Sequence, residues 1–434
     1  MKIGVSSVNI TPPIGVPMAG YSARDDVSIG IHDDLYAKAI VFDDDNTKAA
    51  LIRCDLIGLE REFVEEVRKL IESDTGICGK NVMITCTHTH SGPITNPIFP
   101  ELNAWMNVLS RKIKGAVTAA HRNMKEAKIG FNHGSVEGIV INRRKPNGPV
   151  DTEIGIIRID DQAGNPMAII VNYTCHAVVL GPDNLLISAD YPGYVMSFVE
   201  KNLGIPALFV NGACGDINPL DKLAIMRLKR GKSIYNRRNG TFEEAKRLGS
   251  MIGAEAVKVF LGTETENDLE LKVTSRNIKV PLSDLPPLED AKKMLKENER
   301  LFRKLVSEKR DVAQMYRTAV TIKNTQKIIK YINSGENARS TEIQAFKIGD
   351  NGLIALPGEI FVEIGMNIKK QSSLKYTFIC ELANDSIGYV PTEEAFKESG
   401  YEVEFAKRLH YTNEIGHIIE KSALDTLNTL ASAD

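Results

Sequence analysis

The chain has 434 residues, 43% of them hydrophobic and 25% charged, the make-up of a globular protein with a large core and room for two or three domains. Lys and Arg total 54 against 56 Asp and Glu, so no overall basic charge argues for a nucleic-acid partner, and no apolar run approaches the ~18 residues of a membrane span. The six cysteines, at positions 54, 78, 86, 175, 214 and 380, form no C-x-x-C pair and indicate neither a disulfide framework nor a thiolate zinc site; with no apolar signal region at the start, a reduced, cytoplasmic setting is expected.

In chain order, residues 37–42 and 49–53 predict paired strands around the turn Asp43-Asp44-Asp45-Asn46. Leu59, Phe63, Val67, Leu70 and Ile71 then fall on one helical stripe. Residues 82–86 predict a short buried strand, and 101–124 a long helix. Strands follow at 154–159 and 167–173, and Asp190-Tyr191-Pro192 opens a helix, proline being tolerated in a first turn. Residues 206–210 give another buried strand, and Thr241 with Glu244 fits a capping box for a helix to about Phe260. From Leu288 to Ile332 the chain is rich in Lys, Glu and Arg at helical spacing without sustained heptads, which predicts a helical hairpin on the rim. Strands and helices resume from Ile343. The alternation predicts an α/β class with mixed, partly parallel β-sheets flanked by helices. The expected organisation is one large catalytic domain over residues 1–434, with a peripheral helical insertion at about 288–332.

Four apolar strands run into polar turns that carry chemistry. The first turn is Thr87-His88-Thr89-His90-Ser91-Gly92-Pro93, in which two imidazoles one residue apart would share a face at a strand end. The second ends in Tyr173-Thr174-Cys175-His176, the third in Asn211-Gly212-Ala213-Cys214-Gly215-Asp216-Ile217-Asn218-Pro219, and the fourth in Pro357-Gly358-Glu359. Strand ends are where sites collect in α/β sheets. Two histidines and a carboxylate, His88, His176 and Glu359, make a three-ligand zinc site that leaves a position for water. Singly, each has a plainer reading: a polar turn, a capping histidine, a first-turn helix glutamate.

These turns resemble the neutral/alkaline non-lysosomal ceramidase family. Thr87-His88-Thr89-His90-Ser91-Gly92-Pro93 is similar to its T-H-T-H-S-G-P, the Asn211–Pro219 turn to its N-G-x-x-G-D-V-S-P-N element, and Pro357-Gly358-Glu359 to its P-G-E-F. Ser7-Val8-Asn9-Ile10-Thr11-Pro12-Pro13, Asn142-Arg143 and Gly388-Tyr389-Val390-Pro391-Thr392 extend the likeness from about residue 5 to about 402. The family's C-terminal immunoglobulin-like domain has no counterpart here, so the expectation is a short member with the catalytic domain alone. The resemblance implies a zinc amidase in which His88, His176, Glu359 and Tyr389 hold Zn2+. It also implies that His90, Arg143 and Tyr401 line the reacting centre, where they would shuttle a proton or donate to a developing oxyanion. Tyr389 enters only through the resemblance. At Asn218 the chain departs from the family, which has a serine there, proposed as nucleophile. A carboxamide cannot attack a carbonyl, so Asn218 is expected to position substrate or water.

The function expected is zinc-dependent hydrolysis of an amide, N-acyl, bond by metal-activated water, on a small-molecule or lipid-like substrate. The alternatives are a thiol hydrolase using Cys214 or a non-catalytic protein that kept its metal. A basic run from Lys222 to Arg238 either forms a solvated loop or greets an anionic substrate. Oligomeric state is not legible.

Overall fold

The protein is described from a computed structural model covering residues 1–95, 99–145, 147–220, 240–308 and 311–432. The basic run from Lys222 to Arg238 lies outside the described residues. Eight strands form one mixed sheet: β1 (Lys2–Asn9), β2 (Tyr36–Asp43), β3 (Lys48–Cys54), β4 (Val82–Cys86), β5 (Lys125–Ser135), β6 (Glu153–Asp161), β7 (Pro166–Tyr173) and β8 (Ala207–Asn211), in the order β8-β7-β6-β5-β1-β2-β3-β4. The outermost pairs, β7 with β8 and β3 with β4, are parallel, and the pairings between them are antiparallel. A second sheet, β9 (Leu271–Pro281), β10 (Ala338–Ile348), β11 (Asn351–Ala355) and β12 (Tyr376–Cys380), also ends in a parallel pair, β11 with β12.

The period-2 alternation of strands places these sheets in four layers. On β2 and β3, Ala37, Ala39, Val41, Ala50 and Ile52 pack under helices α1 (Arg61–Thr75) and α2 (Pro100–Arg122). The intervening Ile40, Phe42 and Leu51 face Phe346, Leu353 and Phe378 of the second sheet. Tyr173 and Phe209 likewise point to α3 (Asp190–Leu203) and α4 (Phe242–Leu261), while Ile170 and Leu208 point to the second sheet. The result is helices, large sheet, small sheet, helices, which is the mixed α/β class expected. The facing of two sheets was not legible from the alternation of elements.

The hairpin expected at 288–332 is α5 (Leu288–Glu308) and α6 (Val312–Ser334). Its Phe302, Ala319 and Ile322 join the core beneath α1 and α2, so it is anchored by burial rather than by charge. The small sheet is covered by α7 (Val362–Gln371) and α10 (Ile415–Ala431), with α8 (Glu393–Glu398) and α9 (Tyr401–Arg408) between them in the chain. Thr241 caps α4, its Oγ1 accepting from the Glu244 N–H at 3.2 Å. Among the described residues no helix is long and apolar enough to cross a membrane.

One buried residue beyond β12 joins both edges of the large sheet. The Glu381 N–H donates to the Asn211 carbonyl at the end of β8 (2.9 Å), and its carbonyl accepts from Thr85 Oγ1 near the end of β4 (2.7 Å). The carboxyl ends of all three parallel pairs are thereby drawn to one place.

Candidate metal centre

His88 follows β4, His176 follows β7, the Cys214–Asn218 turn follows β8, Glu359 follows β11 and Tyr389 follows β12. His88 and His90 do converge, though not through strand alternation. The strand stops at Cys86, and His88 takes a left-handed backbone (φ 61°) that a non-glycine residue rarely adopts. Strain of this kind persists only where the surroundings over-determine it. Here the His88 N–H donates to the Leu56 carbonyl (3.0 Å) and its Nδ1 faces the Ile57 carbonyl (2.7 Å). Arg24, fully buried, donates from Nη2 to the His90 carbonyl at 2.9 Å. His176 is tied at Nδ1 to the Cys214 carbonyl at 2.5 Å.

Those carbonyls decide the tautomers. A carbonyl only accepts, so Nδ1 of His88 and of His176 carries a hydrogen, and each ring, whenever it is neutral, presents a bare Nε2 lone pair. Both Nε2 atoms face Glu359 Oε2, at 3.4 Å from His88 and 3.2 Å from His176, while His90 Nε2 lies 3.2 Å from His88 Nε2. Ring nitrogens of His88, His90 and His176 all fall within 4.8 Å of one another, and all three residues are buried. Acceptors converging on one point in a dry site repel unless a proton or a cation lies among them. The His88 and His176 ring nitrogens with the Glu359 carboxylate oxygen, His90 beside them, fit a borderline-soft divalent cation such as Zn2+, and the Nδ1-to-carbonyl bonds of the first two are the outer support such ligands need.

The charges agree. Burial pushes the Glu359 carboxyl up, but His88 and His176 beside it outweigh this and hold it well below the usual range. His176 is pulled down to about 4 by burial and by Arg143. Burial and the His88 ring keep His90 well below an ordinary histidine, hence neutral.

Arg143 organises a second group. Its Nε donates to Glu402 Oε1 at 2.7 Å, Nη1 to Asn218 Oδ1 at 3.2 Å and Nη2 to the Tyr389 hydroxyl at 3.0 Å. Asn218 and Arg143 are neighbours because residues Ile217–Pro219 pair antiparallel with Val140–Asn142. Tyr389 lies beside Glu359 because the two are direct partners in a short parallel ladder. Tyr401 stands farther out: it is 52% exposed, its ring edge-on to Tyr389 with centroids 5.7 Å apart. The eight expected residues thus fall into an inner cluster of His88, His90, His176 and Glu359, a flank of Arg143, Asn218 and Tyr389, and half-exposed Tyr401 farther out.

The thiol alternative is corrected by this geometry. Cys214 is fully buried, its Sγ donates to Glu381 Oε1 at 3.1 Å, and burial with the Glu381 carboxylate raises the thiol well above its ordinary value. A thiol held protonated by burial is a poor nucleophile. Glu359 is likewise not in the first turn of a helix, since it lies in a two-residue strand three positions before α7. Sequence reasoning missed Arg24, Glu381 and Glu402. Glu381 had one signal, a carboxylate directly after a fully apolar strand end.

Residues 1–212 match the family described as neutral/alkaline non-lysosomal ceramidase, N-terminal. This match covers 212 of the 434 residues, and over that stretch the chain is similar to that family. Neutral ceramidase B of Dictyostelium discoideum is 29% identical over 255 residues, covering 50% of this chain and 35% of that protein. Neutral ceramidase of Oryza sativa subsp. japonica is 25% identical over 255 residues, 52% of this chain and 32% of that protein. The matched segments therefore span about a third of the length of these ceramidase relatives. The fold likeness runs further: a crystal structure of neutral ceramidase from Pseudomonas aeruginosa superposes with a TM-score of 0.75 at 18% identity, covering 99% of this chain and 74% of that one.

Proposed function

We propose that the chain is a zinc-dependent hydrolase of amide, N-acyl, bonds in which His88, His176, Glu359 and Tyr389 hold the metal, and that residues 1–434 act as one catalytic domain. The observation that carries this reading is the convergence of the His88 and His176 Nε2 atoms on Glu359 Oε2, with an arginine fork alongside. The relatives are named neutral ceramidases, which supports an N-acyl amide as the substrate class. A Zn2+ held there would polarise a carbonyl oxygen and acidify water.

The remaining steps belong to the chain's own groups. Neutral His90, its Nδ1 buried without a partner, takes a proton during attack and returns it to the leaving amine. Arg143, fixed by Glu402, brings guanidinium N–H groups to the oxygen on which charge develops. Asn218 spends its carbonyl on Arg143 and keeps its amide hydrogens for substrate or water. It has no group to acylate, so no covalent intermediate forms on it. Tyr401, half exposed beside Tyr389, meets the departing part of the substrate. The test is hydrolysis of soluble N-acyl amides by the purified protein, abolished by a chelator and restored by Zn2+. Turnover that survives complete metal removal contradicts the reading.

A further inference from the structure

His88 and Glu359 line a cavity of about 170 Å³. Its walls include apolar Ala19, Ile94, Ala319, Val320, Phe405 and Leu409. They also include cationic Lys323, Lys327 and Arg339, with Glu60. The two lysines are one turn apart on α6, the second helix of the hairpin, so both ammonium groups reach the same spot. There they share a single carboxylate: Glu60 Oε1 lies 2.6 Å from Lys323 and Oε2 2.7 Å from Lys327. Arg339 is matched by Asp385 at 3.1 Å and bonded to the Tyr411 hydroxyl at 2.9 Å. Among the described residues, this cationic group therefore carries one positive charge without a carboxylate of its own.

These groups are no ordinary surface pairs. The side chains of Glu60, Lys323 and Lys327 are only 21–27% exposed, and burial pulls Lys327 below an ordinary lysine, Glu60 opposing. Glu60, Lys323 and Lys327 also line an adjoining outer groove of about 700 Å³, with Phe63 and Met106 on its walls and Glu62, Glu66 and Lys330, all exposed, farther out. The cations thus stand where the inner cavity meets a groove with room for a chain. A partly desolvated net positive charge in a cavity that also reaches His88 and Glu359 favours an anion there.

We infer that the substrate is an N-acyl amide bearing one carboxylate, and that Lys323 and Lys327, with Arg339 behind them, bind that carboxylate. The inference rests on the amidase reading and adds the charge of the substrate to it. A single unmatched positive charge fits a monoanion better than a doubly charged phosphate. The carboxylate belongs either to the amine part, as in an N-acyl amino acid, or to the far end of the acyl chain.

The test uses inert ketones in which the amide N–H is replaced by CH2, so that binding is read without turnover. A long-chain 4-oxo acid stands for the N-acyl amino acid, and a ketone with a terminal acyl-chain carboxylate for the other source. The neutral carboxamide of each is the control. Calorimetry on the purified protein should give a preference of about tenfold or more for the acid of one pair, and which pair identifies the source. Lys323→Met, which leaves Glu60 matched by one lysine, should erase the preference. Glu60→Gln, which releases both ammonium groups, should enlarge it. Opposite responses in two variants are not the signature of general damage. Equal binding of acid and carboxamide in both pairs overturns the inference, and so does a preference that neither variant moves. Turnover of amides without charge preference sinks the anion site alone. Charge-selective binding without turnover of any amide sinks the amidase reading alone.

Discussion

Glu359 and Tyr389 face each other across a two-residue parallel ladder, Glu359–Ile360 against Tyr389–Val390. This register, formed between residues thirty positions apart, sets the phenol next to the carboxylate and within 3.0 Å of Arg143. Burial raises the phenol well above its ordinary value, with Arg143 pulling the other way, so the hydroxyl is neutral until a cation approaches. Replacing Tyr389 with Phe should lower zinc affinity by about 10- to 100-fold while the fold persists. Competition against a chelator of known affinity measures this. An unchanged affinity would remove Tyr389 from the ligand set.

Asn218→Ala should slow hydrolysis by about 10²–10³, the usual loss of one transition-state donor. The effect should fall on kcat, with thermal stability close to that of the parent. Mass spectrometry of the enzyme mixed with substrate should find no acyl adduct. If the variant instead loses stability and keeps its rate per folded molecule, Asn218 is only a turn residue.

Gly20 tests the seat of His90. It has φ +93°, and a Cβ placed on it would fall 2.3 Å from the His90 ring. Gly15 has a similar φ of +89° with nothing within 4 Å. Both alanine variants suffer the same backbone strain, about 1 kcal/mol. Only Gly20→Ala should also lose activity, by at least an order of magnitude, because the ring must move. Equal activity in the two variants would show that His90 tolerates displacement.

Glu381 gives a pH signature in the metal-free protein. Burial pushes its carboxyl up to about 8, against an ordinary 4.5, with His88 opposing. The folded chain then binds this proton more tightly than the unfolded chain does. The corresponding stability is full below about pH 4.5 and is lost as pH rises through about 8. Glu381→Gln keeps an oxygen for the Cys214 and Ile360 N–H groups, which Oε2 accepts at 2.7 and 3.0 Å. The melting temperature of the parent should therefore fall relative to Glu381→Gln between about pH 5 and pH 8.5. A constant difference would mean that Glu381 is ionised throughout.

Much of this site was legible because its residues follow apolar strands. Val82–Cys86, Pro166–Tyr173, Ala207–Asn211 and Asn351–Ala355 are buried runs ending in polar turns, and such ends announce themselves in sequence. The long helices were equally plain, with Pro100–Arg122 close to the expected 101–124. The hidden part depends on which strands pair. Nothing local reveals that Glu381 bonds to the ends of both β4 and β8, or that Tyr389 lies opposite Glu359. His88 was expected to share a strand face with His90, and its left-handed backbone is imposed by contacts to Leu56 and Ile57 that lie far back in the chain. The hairpin at 288–332 was legible as helices but not as a wall of the cavity, because its exposed charge hides the few apolar residues that anchor it.

The most direct test of the central claim is the metal content of purified parent protein and of His88→Ala/His176→Ala, each with its fold checked by circular dichroism. The parent should hold about one zinc ion per chain, and the double variant almost none, since two of the ligands are gone. Full occupancy in the folded double variant would contradict the account.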